Sequence, residues 1–412
     1  MLCEGGPGYG TRRMRPRRIC GDPICPNRGQ NAGGLRIYNG IGMSLNSPTI
    51  GDLAKGRDNN FNLLRFLAAS AVLLSHSWPL ALGTNESEPL AQIFPQLTLG
   101  TSAVIVFFAI SGFLISSSWD RSRDPRAFLI ARVLRIYPGL LVMLLLSVIV
   151  FGPLMTTHSI PAYFGRFATW TYLPSNLLLV KSQLSLPGVL ERSPYNVLNG
   201  SLWTLGYEVT CYLALLLAGI SGGLKQKTFR LTLLAFILIG FALWQVPGSN
   251  DRGFANKVLL LGPAFLVGTC AWNWRDKIPL SGPLALLLGA ACSGAMLYGL
   301  PLAHLLFSIA VTYGSLYVAF VPKGYVRKFS KGGDFSYGMY IYAFPIQQLV
   351  HFFLPEAGVL RMFVIAFAAT LCCAALSWTY VERSAIEWGK VHLKARWEGA
   401  SRGAVATSSR PL

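Results

Sequence analysis

The chain contains ten blocks of apolar residues, each about as long as a helix that crosses a lipid bilayer. Such a helix needs about 20 apolar residues to cover roughly 30 Å of hydrocarbon. Inside a membrane the backbone must satisfy its own hydrogen bonds, which favours helices. The blocks run 61–82, 97–119, 134–155, 201–221, 229–246, 254–272, 279–298, 301–321, 335–354 and 359–382. We therefore predict an all-α, polytopic membrane protein with about ten transmembrane helices.

One further segment, 161–180, is apolar but is interrupted by Arg166 and Pro174. A proline removes a backbone donor and disturbs a helix, and an arginine is costly in hydrocarbon. We expect this segment either to lie on the membrane surface or to fold back into the protein.

The composition excludes other classes of protein. Only 13% of the residues are charged, whereas a soluble domain carries about 25%. A soluble enzyme, a disordered protein and a coiled coil are therefore ruled out. The formal charge of +19 would suggest nucleic acid in a soluble protein. In a membrane protein it indicates cytoplasmic loops that face anionic lipid, so we expect the lipid bilayer and no nucleic acid as a partner.

The basic residues also predict the orientation, because loops rich in lysine and arginine stay in the cytoplasm. The 60 residues before the first block and the loops after the second, fourth, sixth and eighth blocks are basic, whereas the loop 83–96 has no lysine or arginine. This alternation predicts that both termini are cytoplasmic and that the protein is a multi-pass protein of the cell (inner) membrane.

Three regions are predicted along the chain. Residues 1–57 are rich in glycine, proline and arginine and are expected to be a disordered basic tail, with Met43 as a possible true start of translation. Residues 58–388 form the membrane domain, and 389–412 form a basic cytoplasmic tail. No apolar stretch precedes Phe61, so we expect no cleavable signal peptide. The cysteines before Phe61 have no metal-ligand spacing, so we expect no metal.

Four ionisable residues within the blocks are candidates for function: Arg65, His76, Glu208 and Glu382. At 1.5 Å per residue, His76 lies roughly 22 Å from the cytoplasmic face and Glu208 roughly 20 Å from it. Equal depth would suit a catalytic base and the carboxylate that orients it. The alternatives are a histidine that only hydrogen-bonds between helices, and anchoring of Arg65 and Glu382 at the interface.

Arg132 and Arg135 lie three positions apart, on one helical face at the cytoplasmic mouth of the third block. Two guanidinium groups so placed suit phosphate groups, although a basic flank that only fixes orientation is an alternative. Ser111 and Gly112 in the second block permit close helix packing.

Six segments, in this order along the chain, resemble the acyltransferase 3 family of integral membrane O-acyltransferases. They are NNFNLLRFLAASAVLLSH, with Arg65 and His76, FFAISGFLI, RVLRIYP, NGSLWTLGYE, FSYGMYIYAFPIQQ and YVERS. The resemblance covers roughly residues 58 to 388. Two positions depart from it, because many members have a proline at Ser384 and a histidine at Ala343. We also expect no esterase-like C-terminal domain of the kind that some members carry.

The resemblance implies transfer of an acyl group, usually acetyl, from cytoplasmic acyl-CoA to a hydroxyl of a carbohydrate. The acceptor would be an exopolysaccharide, an O-antigen, a glycolipid or a lipochitooligosaccharide, and the polysaccharide biosynthesis machinery is a further expected partner. His76 would act as the base and Glu208 would orient it or bind the sugar. Arg65, Arg132 and Arg135 would hold the acyl-CoA. Further candidate site residues are Ser111, Tyr337 and Glu382.

Two other functions remain compatible with the residues. A transporter or flippase of a polar lipid or glycan could use the intramembrane Arg, His and Glu as a permeation path or proton relay. A non-catalytic subunit of a polysaccharide export complex is the third possibility. The arginine pair favours the enzyme, because a phosphate-rich donor requires cations at the cytoplasmic mouth.

Overall fold

The computed structural model describes residues 47–392, except positions 57, 181, 192, 194, 226, 246–252, 301 and 330–331. The described part is helical and has no strand, only two isolated bridges. Ten long helices correspond one by one to the predicted blocks. They are α1 (Phe61–Leu82), α2 (Leu99–Ser122), α3 (Pro125–Leu146), α4 (Trp203–Ile220), α5 (Phe229–Gln245), α6 (Gly253–Asn273), α7 (Gly282–Leu297), α8 (Ala303–Phe320), α9 (Ser336–Phe353) and α10 (Val359–Ser377). The predicted all-α membrane fold is confirmed.

Seven helical stretches of the described chain are long and apolar enough to cross a membrane. They include α3 with its continuation, Pro125–Met155, and α10 with its continuation, Val359–His392. The apolar helices in α5 and α7 are shorter, at Phe229–Leu238 and Gly282–Leu297. Most residues of α9 are buried within the protein, including Gln347 and Gln348. A helix that is enclosed by other helices does not need a lipid-facing apolar surface.

The start of α3 differs most from the prediction. The helix begins at Pro125, nine residues before the predicted block. Asp124 caps it by accepting a hydrogen bond from the Arg126 backbone N–H at 2.8 Å, and Pro125 takes the first position. Both residue types favour a helix start. Arg132 therefore lies about 10 Å along the helix from its first residue.

Contacts between helix ends bring the start of α1 and the ends of α2, α6 and α8 together in pairs. At one end, Asn60 before α1 donates to the carbonyl of Pro322 after α8 at 2.9 Å. Asp120 near the end of α2 lies 3.6 Å from Arg275 after α6. We call this the basic end, since it also carries Arg123 and Lys225. Charge predicts that it faces the cytoplasm.

The opposite end is closed by a buried carboxylate. Glu88, in the loop between α1 and α2, has no exposed surface. It accepts hydrogen bonds from Ser75 Oγ at 2.5 Å and from the Leu99 backbone N–H at 2.9 Å. Leu99 is the first residue of α2, where a carboxylate also satisfies unpaired backbone donors. The loop is thereby tied to both helices that it connects.

Helices α2 and α6 approach each other closely through two glycines. A Cβ atom added at Gly112 would collide with the carbonyl oxygen of Phe265, and one at Gly268 would collide with that of Ala109. Small residues allow such backbone contact in membrane helices. The predicted packing role of the Ser111-Gly112 pair is confirmed.

The segment predicted to lie on the surface or fold back forms two short helices, Ile160–Gly165 and Phe167–Leu177. Tyr163 and Tyr172 are fully buried in it. The hydroxyl of Tyr163 donates to the carbonyl of Val148 in the continuation of α3 at 3.0 Å. This face of the segment folds back onto the protein.

The predicted disorder up to residue 57 is wrong for the residues that the structure describes from Ser47 on. A short helix spans Ile50–Leu53 and is capped by Thr49. The backbone N–H of Ile50 donates to Ile278 at 3.0 Å, and that of Gly51 to Arg275 at 2.9 Å. The loop after α6 supplies hydrogen bonds that composition cannot reveal. The rest of the predicted tail, 1–46, and the C-terminal tail from 393 lie outside the described residues.

Candidate active site

One carboxylate joins two of the predicted arginines. Oδ2 of Asp334, in the loop before α9, accepts hydrogen bonds from Arg65 Nη1 at 3.0 Å and from Arg135 Nη2 at 2.6 Å. Its Oδ1 accepts from the backbone N–H of Ser336 at 3.2 Å and from the Ser336 hydroxyl. Asp334 thus connects α1, α3 and α9 at one point.

The charge of Asp334 is stabilised by these partners. Burial alone would raise its pKa, but the neighbouring Arg135 and Arg65 and the hydrogen bonds from Ser336 outweigh burial and lower the pKa to about 2. An opposite charge at such distances favours the ionised form. Asp334 is therefore a permanent anion over the physiological pH range.

Arg135 has a second carboxylate, Glu382, whose Oε2 lies 3.5 Å from Nη1. Glu382 is 1% exposed and also accepts a hydrogen bond from Ser377 Oγ at 2.9 Å. It is enclosed by protein and paired with Arg135. The rings of Tyr337 and Trp378 lie 5.6 Å and 6.0 Å from the Arg135 guanidinium. Arg135 is thus held by two anions and two aromatic faces.

Tyr337, one of the further candidates, is engaged through both its ring and its hydroxyl. The hydroxyl donates to the carbonyl of Ile136 at 2.6 Å. A Cβ at Gly139 would be 3.0 Å from the Tyr337 ring, so this glycine leaves room for it. These contacts give Tyr337 a supporting position beside Arg135.

Arg132 has a different environment from Arg135, although both are on α3. Its guanidinium lies over the rings of Phe128 and Tyr212, at 5.7 Å and 5.9 Å. Nη2 is 3.4 Å from the Ser118 hydroxyl, and Nε is buried without a hydrogen-bond partner. No carboxylate of the described chain lies within ion-pair distance of it. Arg132 is therefore a cation whose charge no ion pair neutralises.

Glu208 of α4 is hydrogen-bonded to two hydroxyl groups. It accepts from Tyr212, one turn further along α4, and from Ser111 Oγ of α2 at 3.4 Å. Glu208 is half-buried, and such donors stabilise a carboxylate that is partly removed from water. Ser111, Tyr212 and Glu208 together connect α2 with α4.

Two cavities meet around these residues. The mouth cavity, of about 330 Å³, lies at the basic end and is lined by residues that include Arg65, Ser111, Arg132, Arg135, Tyr212 and Lys390. The inner cavity, of about 50 Å³, is lined by residues that include Arg65, Phe107, Arg135, Glu208, Tyr212 and Tyr340. Three side chains, those of Arg65, Arg135 and Tyr212, border both cavities. They mark a path from the basic end into the interior.

His76 lines neither cavity. Its ring is 5.1 Å from that of Phe344 on α9, and its Nδ1 is buried with no hydrogen-bond partner among the described residues. The separation of His76 from Glu208 can be read along α2. Gly100, which packs on Ser75, and Ser111, which contacts Glu208, are 11 residues apart on α2, or about 16 Å. The prediction of equal depth is wrong.

The fold-back of the chain before α4 explains this difference. Gly200 packs against Phe344, the residue that contacts His76, and Asn199 Nδ2 donates to the Ile341 carbonyl at 3.0 Å. The start of α4 therefore lies inside the protein, near the level of His76. Glu208, eight residues on, lies about 12 Å closer to the basic end. The predicted contact in which Glu208 orients His76 is absent from the described residues.

Sequence reasoning missed two residues of the site. Asp334 lies in a loop, outside the apolar blocks that were searched for charges, although it is the acidic residue directly before the FSYGMYIYAFPIQQ segment. Tyr212 follows Glu208 by four positions, and residues with this spacing meet on one helical face. Ala343, where the resemblance leads one to expect a histidine, is 1% exposed and precedes Phe344.

Comparison with models of known protein families identifies the family of this chain. A family model described as an acyltransferase domain matches residues 58–378. The chain belongs to the acyltransferase 3 family. The predicted resemblance is confirmed, and the protein is a multi-pass membrane protein of an acyltransferase family.

Two relatives match most of the chain. An O-acetyl transferase of Shigella phage Sf6 is 30% identical over 340 residues, which are 79% of this chain and 96% of the relative. Nodulation protein 10 of Rhizobium leguminosarum bv. viciae is 28% identical over 360 residues, which are 81% of this chain and 95% of the relative. No solved structure is significantly similar.

Proposed function

We propose that this acyltransferase transfers an acetyl group from cytoplasmic acetyl-CoA to a carbohydrate hydroxyl at the inner membrane. The observation that carries the proposal is the mouth cavity at the basic end, where Arg132 presents a guanidinium without an ion pair. The name of the phage relative, O-acetyl transferase, supports the acetyl group.

Arg132 is the residue best suited to the phosphates of the donor. Its buried Nε lacks a hydrogen-bond partner, and its guanidinium lies over aromatic faces without a direct ion pair. A guanidinium binds phosphate oxygens with paired, charge-assisted hydrogen bonds. Arg65 and Arg135, in contrast, are held by Asp334 and form the wall along which the arm of the donor would pass.

The distance from Arg132 to His76 requires a long, thin donor arm. Arg132 contacts Ser118, and Gly100 on the same helix packs on Ser75, the neighbour of His76. Ser118 and Gly100 are 18 residues apart on α2, or about 27 Å. The side chains of Arg132 and His76 each extend over part of this distance. The pantetheine arm of acyl-CoA carries its thioester far from its phosphates, so it can enter at the mouth cavity and react deeper.

His76 is proposed as the general base. The acceptor hydroxyl oxygen would attack the thioester carbonyl carbon while a ring nitrogen of His76 takes the hydroxyl proton. The carbon–sulfur bond then breaks, and the CoA thiolate takes that proton from His76. Nδ1 has no hydrogen-bond partner among the described residues, so its hydrogen-bonding capacity is unused. Glu208 would act on the donor side, near Ser111 and Tyr212, and not on His76.

The acceptor is proposed to be a carbohydrate of the cell envelope or an exported one, as the family resemblance implies. The acceptor would approach from the end of the protein opposite the basic end. His76 lies closer to that end than the two cavities do. The donor and acceptor would then meet inside the protein from opposite sides of the membrane. The polysaccharide biosynthesis machinery remains a proposed partner.

Purified protein in nanodiscs tests the proposal. We expect it to release CoA from acetyl-CoA when crude envelope glycans of the host are supplied, and to label the glycan with the acetyl group. Arg132→Gln should raise the acetyl-CoA concentration needed for half-maximal rate about tenfold or more. Arg383→Gln removes an exposed charge that lines neither the mouth cavity nor the inner cavity and serves as the control. Glycan transport without CoA release would contradict the proposal.

A further inference from the structure

The largest cavity described lies outside the candidate active site. It has a volume of about 600 Å³ and is lined at the basic end by residues near the ends of α2, α4 and α6. Its size is that of a small-molecule site. We call it the indole pocket, because Trp119 and Trp272 both line it.

The indole pocket has an excess of positive charge. Arg123, Lys225 and Arg275 line it together with a single acidic residue, Asp120. Asp120 is shared between two of them, at 3.2 Å from Arg123 and 3.6 Å from Arg275. One carboxylate cannot neutralise three cations, so the pocket attracts anions.

The walls of the pocket combine apolar rings with charged groups. The Arg275 guanidinium lies 4.1 Å from the centre of a Trp272 ring, which fixes the charge at the pocket wall. Nε1 of Trp272 is buried and has no partner in the described part of the protein. Trp119 packs on Gly219, where any larger residue would collide with the indole.

The pocket is separated from Arg132 by an aromatic wall. The rings of Trp119 and Phe128 are 5.8 Å apart, edge to face, and the Arg132 guanidinium lies 5.7 Å from the Phe128 ring. The mouth cavity and the indole pocket share no lining residue. A ligand of the indole pocket therefore has its own set of contacts.

We propose that the indole pocket binds a phosphate group of an amphiphilic or nucleotide ligand, with Arg275 and Lys225 as the main cationic contacts. Its chemistry fits a phosphate that is attached to a flat or apolar body, because three cations and two indoles line it. Two sources supply such a group at the predicted cytoplasmic face: an anionic phospholipid headgroup and a free nucleotide in solution. The phosphate site itself does not depend on acyl transfer.

Two binding measurements on the full-length protein distinguish the sources. In the first, adenosine 3′,5′-bisphosphate is titrated onto protein in nanodiscs of phosphatidylcholine alone. In the second, native mass spectrometry counts phosphatidylglycerol molecules that the protein retains from mixed micelles. Both measurements are made on the wild type, on Arg275→Gln and Lys225→Gln, and on the control Arg383→Gln. The control also removes one positive charge, but Arg383 lines no described cavity.

A loss of about tenfold in nucleotide affinity in the two pocket variants, with no loss in the control, identifies the nucleotide. The same pattern in retained phosphatidylglycerol identifies the lipid. If neither ligand binds less tightly to the pocket variants than to the control variant, the proposal is overturned. Lys225 is exposed, so Lys225→Gln keeps the test decisive if Arg275→Gln folds poorly.

Discussion

Arg135 donates to Asp334 across 2.6 Å, although the two residues are 199 positions apart in the chain. This contact joins the third and ninth long helices directly beside the two cavities. It also means that the arginines of the RVLR segment have unequal partners. Arg135 belongs to a network of ion pairs, whereas Arg132 has none among the described residues.

The two arginines should therefore differ when each is replaced by glutamine. Arg132→Gln should weaken acetyl-CoA binding about tenfold to a hundredfold, because one charge-assisted contact contributes roughly 1.5–3 kcal/mol. Arg135→Gln should lower the stability by about 3–5 kcal/mol, since it leaves Glu382 buried without its cation. Calorimetric titration and thermal unfolding in detergent measure the two effects. Equal loss of donor affinity with unchanged stability in both variants would contradict this division.

His76→Ala should abolish detectable acetyl transfer and leave acetyl-CoA binding nearly unchanged. A general base contributes about 10²–10⁴ in rate, and His76 lies away from the cavities assigned to the donor. Turnover and donor titration on the same preparation check both expectations. His304→Ala provides a control, because His304 is another histidine of a long helix, at the start of α8. Near-normal turnover by His76→Ala would reject the proposed base.

Asp334→Asn should destabilise the protein at neutral pH, and the difference from wild type should shrink in acid. The pKa of Asp334 is about 2 in the folded protein and 3.8 ordinarily, so its ionised form favours folding above pH 4. That contribution is lost as the pH falls from about 4 toward 2, where the wild-type side chain is protonated and resembles asparagine. Thermal unfolding of both proteins at pH 7, 4 and 3 measures this. A difference that stays constant over this range would exclude the electrostatic role.

A chain that starts at Met43 should keep full activity, whereas one that starts at Asp58 should be less stable. Residues 48–51 donate and accept backbone hydrogen bonds with the loop 275–280, and Ile50 is fully buried. Deleting them exposes the ends of α6 and α7 at the basic end. Membrane abundance, unfolding temperature and acetylation of both chains provide the comparison. Loss of activity in the longer chain at equal abundance would reveal a role for residues before Met43.

The orientation can be tested with reporter fusions. The charge pattern predicts that Asn85 and Gly188 face the exterior and that Gly223 and Gly332 face the cytoplasm. Alkaline phosphatase should be active at the first two positions and GFP fluorescent at the last two. Phosphatase activity at Gly332 would exclude ten alternating passes.

The helices could be predicted because each depends mainly on a local property, a run of apolar residues. Their ends were less predictable where a cap decides them, as at Asp124 and Pro125. The short helix at Ile50 was missed for another reason. It is stabilised by the loop after α6, more than 200 residues away in the sequence, which no local pattern records.

The sequence predicted many residues of the candidate site but not how they are arranged in space. Counting from the membrane surface put Glu208 level with His76, because the count assumed that α4 begins at the surface. In fact Gly200 already lies beside Phe344, inside the protein. Asp334 could not be found by a search for charges within apolar blocks, since it lies just outside one. Its importance depends on two arginines that only the fold brings together.

The glycine contacts between α2 and α6 restrict how the protein can open. With Gly112 against Phe265 and Gly268 against Ala109, backbone meets backbone and no side chain can rotate to let the helices slide. Helices α2 and α6 should therefore move together as one rigid unit. Any widening that admits a large donor at the mouth cavity must then come from its other walls, which belong to α1, α3, α4 and the continuation of α10. The ion pair between Arg135 and Glu382 joins two of these walls, so it would have to break if α3 and the continuation of α10 moved apart.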